Sequence, residues 1–413
     1  MTDARPRRPV AIMAHAAMPA DPRVRRQADA LLQAGHEVDV LALRESGQPA
    51  EERHEGLRIL RLPVHRRFAG FAGHLAEYAA FTAVAAWRLT REHRRRRYGL
   101  VQVATLPDFL VAAAAALKLN GVPLLLDLHE DMPAFFEDRF SALPLRPLRP
   151  LIRGVARGSA AMADHLLTVH EPLRALAVAR GMSPGRVTVV MNSADETIFD
   201  RAAHPVRPFM WDGVLRLVHH SALQRIYGLE VALEAVAALG AEPAAPLVRL
   251  DVYGDGPHRS EIEASIARLG LGDRVELHGR VPMEALPALI ASSDLGLVPT
   301  LPEPYLQLSL STKLLEYVAM GLPVIASELA TFRAHLDGSA VRYVPGGDAA
   351  ALAAAITEAA RDPEVMRARA QEAIRQAAPY AWSRQKETYL GVVDRLMAGH
   401  RASDHPARPA MLS

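Results

Sequence analysis

The sequence predicts an α/β protein built from two doubly wound, Rossmann-like halves that face each other across a cleft. Three observations carry this. Short apolar runs of strand type alternate with helical patterns along the chain. The alternation breaks once, in the proline-rich and aperiodic stretch RAAHPVRPFMWDG at 201–213, and then restarts. Finally, 413 residues exceed one ordinary core, so two domains of roughly 200 residues are the default.

In chain order, the first half predicts strands at 10–14, 38–43, 57–62, 100–104, 124–128, 166–169 and 187–191. Helices fill the gaps, among them 23–34, stopped by Gly35, and the alanine-rich 109–119. The second half predicts strands at 215–219, 248–253, 275–277, 295–299 and 324–326. The expected layout is a first domain over 1–200, a linker over 201–213 and a second domain over 214–378. An amphipathic helix over 379–398 and a disordered tail over 399–413 follow. Doubly wound sheets take ligands beyond the carboxyl ends of their strands, so the loops there are where chemistry is expected.

Composition narrows the function. Half the residues are hydrophobic and 23% are charged, a globular balance. A net charge of +2 carries no nucleic-acid signature. The absence of cysteine excludes disulfides, thiol nucleophiles and thiolate metal sites, and it fits a reducing cytoplasm. The start, MTDARPRRPVAIMAHA, lacks the apolar core of a secretory leader. The longest apolar segment, FAGFAGHLAEYAAFTAVAAWRL at 68–89, contains His74, Glu77 and Arg88, and Arg91 and Arg94 to Arg97 follow it. It is too charged to span a bilayer. Two readings stay open: a helix packed on the protein, or an interfacial helix whose arginines meet anionic lipid.

The second half concentrates the candidate chemistry. In SLSTKLLEYVAMGLPVIAS at 309–327, Lys313 and Glu316 stand i,i+3 and share one helix face. Lysine is rare here; Lys118, Lys313 and Lys386 are the only three. A cation and a carboxylate at a helix start suit a phosphorylated, hydroxylated ligand. Upstream, LVHHSALQRIYGLEVALEAV at 217–236 runs from a strand through a loop with Arg225 to a helix opened by Gly228, where free amides attract phosphate. DVYGDGPHRSEIE at 251–263 passes through a G-D-G-P turn beginning at Gly254. VELHGRVPMEALPALIASSDLGLVPT at 275–300 carries Arg280 and Val281.

Taken in order, these elements resemble the family 4 retaining glycosyltransferases of the GT-B fold, in particular bacterial polysaccharide-type members. The first half agrees: DPRVRRQADALLQAGHEVDVLAL at 21–43, LLLDLHEDMP at 124–133 and VTVVMNSADETIF at 187–199 are similar to family elements. The resemblance covers about 10–397, nearly the whole chain.

That resemblance implies roles residue by residue. Glu316 matches the carboxylate that takes the nucleotide ribose hydroxyls, and a carboxylate can accept two such bonds. His129 matches the histidine near the donor sugar and the reacting centre, and it is the catalytic candidate. Gly254, Arg280, Val281 and Glu303 fall on the donor side. Asp21 and Glu130 are weaker acceptor-side candidates for a general base. The chain also departs from the family. Ser221-Ala222 stand where relatives carry G-R, Tyr227 where they carry a lysine, and Leu308 where many carry a second glutamate. Arg225 and Lys313 are expected to supply the missing cations for a diphosphate leaving group. No DXD-type carboxylate pair has a counterpart. Although Asp127, His129, Glu130 and Asp131 cluster like ligands, neither metal nor cofactor is expected. In the family's retaining mechanism the leaving phosphate itself deprotonates the acceptor.

The expectation is a cytoplasmic glycosyltransferase, possible contact with an anionic inner membrane face included. It would move a sugar from a UDP- or GDP-sugar to a lipid-linked or saccharide acceptor in exopolysaccharide or envelope glycan synthesis, with no nucleic-acid partner. The alternatives are a non-catalytic GT-B scaffold that binds a nucleotide sugar or a partner enzyme, and a nucleotide-sugar 2-epimerase of the same fold.

Overall fold

The structure is a computed structural model that describes residues 8–18, 21–64, 70–139, 146–242 and 245–404. The chain divides into two compact units, Met1–Met191 with Gln385–Ser413, and Asn192–Arg384. The path therefore leaves the first unit, builds the second, and returns.

The first unit contains, among the described residues, β1 (Val10–Ala17), β2 (Val38–Leu43), β3 (Glu51–His54), β4 (Leu57–Leu62), β5 (Leu100–Ala104), β6 (Leu124–Leu128), β7 (His165–Thr168) and β8 (Val187–Val189). They form one sheet in the order β3-β4-β2-β1-β5-β6-β7-β8. All neighbours are parallel except the β3–β4 hairpin. β1 and β2 are buried almost throughout, as strands covered on both faces must be.

The second unit holds β9 (Val214–His220), β10 (Leu247–Tyr253), β11 (Val275–Gly279), β12 (Leu295–Val298), β13 (Val324–Ser327) and β14 (Arg342–Val344). Its sheet runs β11-β10-β9-β12-β13-β14 with every pair parallel. Both orders reverse direction beside the first strand of their unit, which is the switch point where doubly wound sheets open a ligand crevice.

Several elements differ from expectation. Two strands are new: β3, EERH, a mostly exposed edge strand with no apolar alternation, and β14, only three residues long. The helix expected over 109–119 begins as a 3-10 stretch, Asp108–Ala114, and only Ala115–Leu119 is α-helical. The last helix runs Trp382–Asp404, past the expected start of the tail at 399; 405–413 lie outside the described residues. From Gln385 onward this helix belongs to the first unit, where Tyr389 is fully buried and its hydroxyl donates to Gln102 Oε1 at 2.7 Å.

The long apolar segment forms the helix Gly70–Arg96. Its inner face buries Phe81, Ala85 and Leu89 in the core, each worth roughly 1–3 kcal/mol of transfer free energy. Glu92, also buried, takes Arg58 at 2.7 Å and Arg88 at 3.0 Å. The packed-helix reading therefore describes this face. Among the described residues, no helix is long and apolar enough to cross a membrane.

Candidate active site

In the second unit, three loops leave the carboxyl ends of β9, β10 and β12 and lock onto one another through glycine. Gly254, at φ +140°, packs so close to Ser221 that a Cβ would lie 1.8 Å from the Ser221 carbonyl oxygen. Gly228, at φ +67°, would put a Cβ 1.9 Å from the carbonyl oxygen of Pro299. Any side chain at either position would force the loops apart. Gly254 N–H also donates to Gly279 O at 2.6 Å, which ties in the β11 exit.

The helix Thr312–Ala319 brings its polar face to this junction. Lys313 is buried, and its Nζ sits 4.0 Å from the centroid of the Tyr227 ring, a cation–π contact. Burial pushes the Lys313 ammonium down to about 8, with Glu316 pulling the other way. Glu316 Oε2 lies 3.0 Å from His220 Nε2, off the line of a hydrogen bond. Burial first and Lys313 second push His220 down to about 3, so this imidazole is neutral. Tyr317 anchors the helix from beneath. Its hydroxyl donates to Val218 O and accepts from His220 N–H, both at 3.2 Å. Burial and the Lys313 charge also keep His219 neutral. Its Nδ1 must donate to the Leu297 carbonyl at 3.0 Å, so Nε2 accepts from the Ser221 hydroxyl at 2.9 Å.

Three expected donor-side charges have surface partners. Arg225 and Glu303 pair with each other at 3.1 Å, with the arginine side chain 62% exposed. Arg280 is 80% exposed and 3.9 Å from Asp255. Val281, half-buried, follows it in the loop after β11. Lys313, Glu316 and Gly254 are thus built into the loop junction, whereas Arg225, Glu303 and Arg280 lie at its exposed margin.

In the first unit, His129 follows the end of β6 and is buried. Its Nε2–H donates to Asp127 Oδ2 at 2.9 Å, and its backbone N–H donates to Thr105 Oγ1 at 3.2 Å. Burial alone would raise the Asp127 carboxyl, but His129, Gln27 and Arg23 together hold it low. The ionised carboxylate can only accept, so it fixes the proton on Nε2. His129 Nδ1 is left as a buried nitrogen with no partner among the described residues. Behind Asp127 runs a one-way chain of donors. Tyr389 O–H donates to Gln102, Gln102 to Gln27 at 2.7 Å, and Gln27 to Asp127 at 2.7 Å.

Asp21 is the N-cap of the helix Pro22–Gln33, accepting from Arg23 N–H at 3.0 Å and from its guanidinium at 3.2 Å. Burial would raise its carboxyl, but Arg23 more than offsets this and leaves a poor base. Arg23 is also within the electrostatic reach of Glu130 and Asp127. The 127–131 run does not converge on one point: Asp127 holds His129, and Asp131 holds Arg180. The described group with metal-ligand spacing is instead Asp251, Glu276 and His278, exposed or half-buried on β10 and β11. Sequence reasoning passed over Asp127 as the orienting carboxylate. The signal was its i,i+2 relation to His129 at a strand end, which puts both on one side.

The family model described as "Glycosyl transferases group 1" matches residues 215–362, and the "Glycosyl transferase 4-like domain" matches 20–193. The chain belongs to the family 4 glycosyltransferases. It is a glycosyl-transferring enzyme of the GT-B fold. A 2-deoxystreptamine glucosyltransferase of Streptomyces kanamyceticus is 27% identical over 318 residues, 74% of this chain and 79% of that relative. Among solved structures, a sucrose-phosphate synthase from Thermosynechococcus elongatus has a TM-score of 0.75 at 20% identity, covering 95% of this chain and all of that one. Anabaena HepE in complex with UDP has a TM-score of 0.68 at 16% identity, covering 94% and 100%. These two structures share the fold with this glycosyltransferase.

Proposed function

We propose that this glycosyltransferase moves a sugar, with retention, from a UDP- or GDP-sugar to a saccharide or lipid-linked acceptor. In this reading it works in the cytoplasm, at the inner face of the membrane, in exopolysaccharide or envelope glycan synthesis. The observation that carries the donor assignment is the position of Lys313. Its ammonium rests on the ring of Tyr227, the residue that stands where relatives carry a lysine. The helix thus returns a cation to the place from which the loop has lost one. Glu316, three residues on, is the carboxylate for the ribose hydroxyls, with neutral His220 beside it. Lys313 fills the charge-neutralising role that a divalent cation fills in other transferases, so no metal is invoked. The similarity to a UDP-bound structure supports a uridine donor. The similarity of 21–43 to polysaccharide members supports the pathway.

On the acceptor side, His129 presents a bare, buried Nδ1 that can accept a bond from a sugar hydroxyl. Interactions made mainly in the transition state raise turnover without tightening nucleotide binding. One experiment separates the two roles. Calorimetry with nucleoside diphosphates, beside steady-state transfer, is run on Glu316→Ala, Lys313→Ala and His129→Ala. The first two are expected to lose about 1.5–3 kcal/mol of nucleotide affinity each. His129→Ala is expected to bind normally and lose about 100-fold in turnover, about 2.7 kcal/mol. Unchanged affinity in both donor variants sinks the donor assignment; normal turnover in His129→Ala makes that histidine structural.

A further inference from the structure

A cavity of about 220 Å³ lies in the first unit, beyond the end of β6. Its apolar wall comes from the helices Arg149–Met162 and Glu171–Ala179, through residues such as Ala156, Ala160 and Leu173. Its charged lining is Asp108, Glu130, Asp131, Arg157 and Arg180. Asp131 and Arg180 satisfy each other: the guanidinium bonds both carboxylate oxygens, and Asp131 also accepts from Ala134 N–H at 3.3 Å. Asp108 has no such arrangement. It is 4% exposed, and its Oδ1 is buried with no hydrogen-bond partner among the described residues.

We propose that this cavity is a subsite for an ammonium group carried by the acceptor, with Asp108 as its counter-ion. The proposal rests on the reading of the first unit as the acceptor side. A buried carboxyl without a donor is costly, and the cost is removed by a partner that both donates and neutralises. An anionic group would face Asp108, Glu130 and Asp131 together. A neutral hydroxyl can bond Asp108 only while the carboxyl keeps its proton, whereas an ammonium both donates to the carboxylate and neutralises it. The apolar wall suits the carbon frame that bears the amine. The volume is below the 300–1,000 Å³ or so of a whole-ligand pocket, so one amine-bearing portion is what fits. The relative named for 2-deoxystreptamine, an amine, agrees with this class.

The site also links binding to protons. Burial first, then the Asp131 charge, push Asp108 up to about 8, opposed by Arg180. Arg157 and Glu130 line the same space. The helix Gly70–Arg96, packed on the Asp108–Ala114 stretch, contributes Tyr78 against Phe109, and its buried acid Glu77 faces His15 at 3.1 Å. An entering ammonium must displace the Asp108 proton below pH 8. Affinity therefore rises with pH until an alkylamine itself deprotonates near 10, taking lysine as the guide.

The test uses the full chain and two probes of one shape, cyclohexylamine and cyclohexanol, titrated by calorimetry at pH 6.5 and 8.5. The amine is expected to bind at least about tenfold tighter at the higher pH, and the alcohol not to bind. Asp108→Asn is expected to abolish amine binding. Equal binding of the two probes overturns the proposal, as does amine binding with no pH dependence or none lost in Asp108→Asn. The pH comparison on the unaltered chain decides the matter even where the variant folds poorly. Nucleoside diphosphate binding is measured on the same samples. Failure of the amine with normal nucleotide binding overturns the subsite alone, and the converse overturns the donor reading alone.

Discussion

Burial holds the Lys313 ammonium down at about 8, against the opposing pull of Glu316. In the unfolded chain the same group titrates near the ordinary lysine value of 10.5. Between those values the unfolded state binds more protons, so this lysine makes stability rise with pH from about 8 to 10.5, and its penalty is complete below 8. Nucleotide binding runs the other way, because a diphosphate needs the charged form. Nucleoside diphosphate affinity is therefore expected to fall about tenfold per pH unit above 8. Calorimetry between pH 7 and 9.5 reads this directly. A Lys313→Met variant should bind weakly with a flat profile, and a steep profile surviving in that variant would assign the titration to another group. The same residue shows what was legible in the sequence. The rarity of lysine and the i,i+3 spacing marked Lys313 and Glu316, because both signals are local. Asp127 carried one local signal, its i,i+2 spacing to His129, and Asp108 carried none. Their properties come from Gln27, a hundred positions away, and from Asp131 and Arg180, which only folding brings close.

Element-scale patterning explains why most strands could be placed to within a residue or two while two could not. Strands covered on both faces announce themselves as apolar runs, as β2 and β5 do. β3 is an exposed edge of four polar residues, whose place comes from pairing with β4 rather than from its own pattern. The helix Gly70–Arg96 shows the opposite problem, since one pattern fitted two environments. Its inner side is packed, and Arg88 and Arg96 are tied to Glu51, Glu92, Glu37 and Asp39. Its outer side exposes Leu75 and Trp87, with Arg91 over the Trp87 ring and Arg94 and Arg95 beyond. An apolar stripe ending in exposed arginines suits the interface of an anionic leaflet, where each basic residue is worth about 1 kcal/mol. The protein is expected to sediment with vesicles containing phosphatidylserine, to be released by salt, and to lose most of this binding in Trp87→Ser. Equal recovery in the supernatant with neutral and anionic vesicles would leave the helix a purely structural element.

At the scale of the whole molecule, the chain visits the first unit twice, and the second visit is made by one helix. Its contribution is specific. Gln385 Oε1 accepts Met191 N–H at 2.9 Å, and Tyr389 starts the donor chain that ends on Asp127 and so orients His129. Tyr389→Phe keeps the ring in its buried site and removes only the hydroxyl. Gln102 Oε1 then loses its donor in a place water does not reach, a penalty of about 1–3 kcal/mol. Because the two units have separate cores, this loss should stay in the first. Hydrogen exchange is expected to quicken in β1, β5 and β6 while β9, β10 and β12 are unchanged. Nucleoside diphosphate at 100 times its dissociation constant should still stabilise the protein by about 2.7 kcal/mol. Turnover is expected to fall, but by less than in His129→Ala, since Asp127 still holds the imidazole directly. Rescue would come from no other hydroxyl at that position short of tyrosine itself, because a serine cannot span the distance the ring covers. Faster exchange spread evenly over both sheets would show that the returning helix stabilises the chain as a whole rather than the site it reaches.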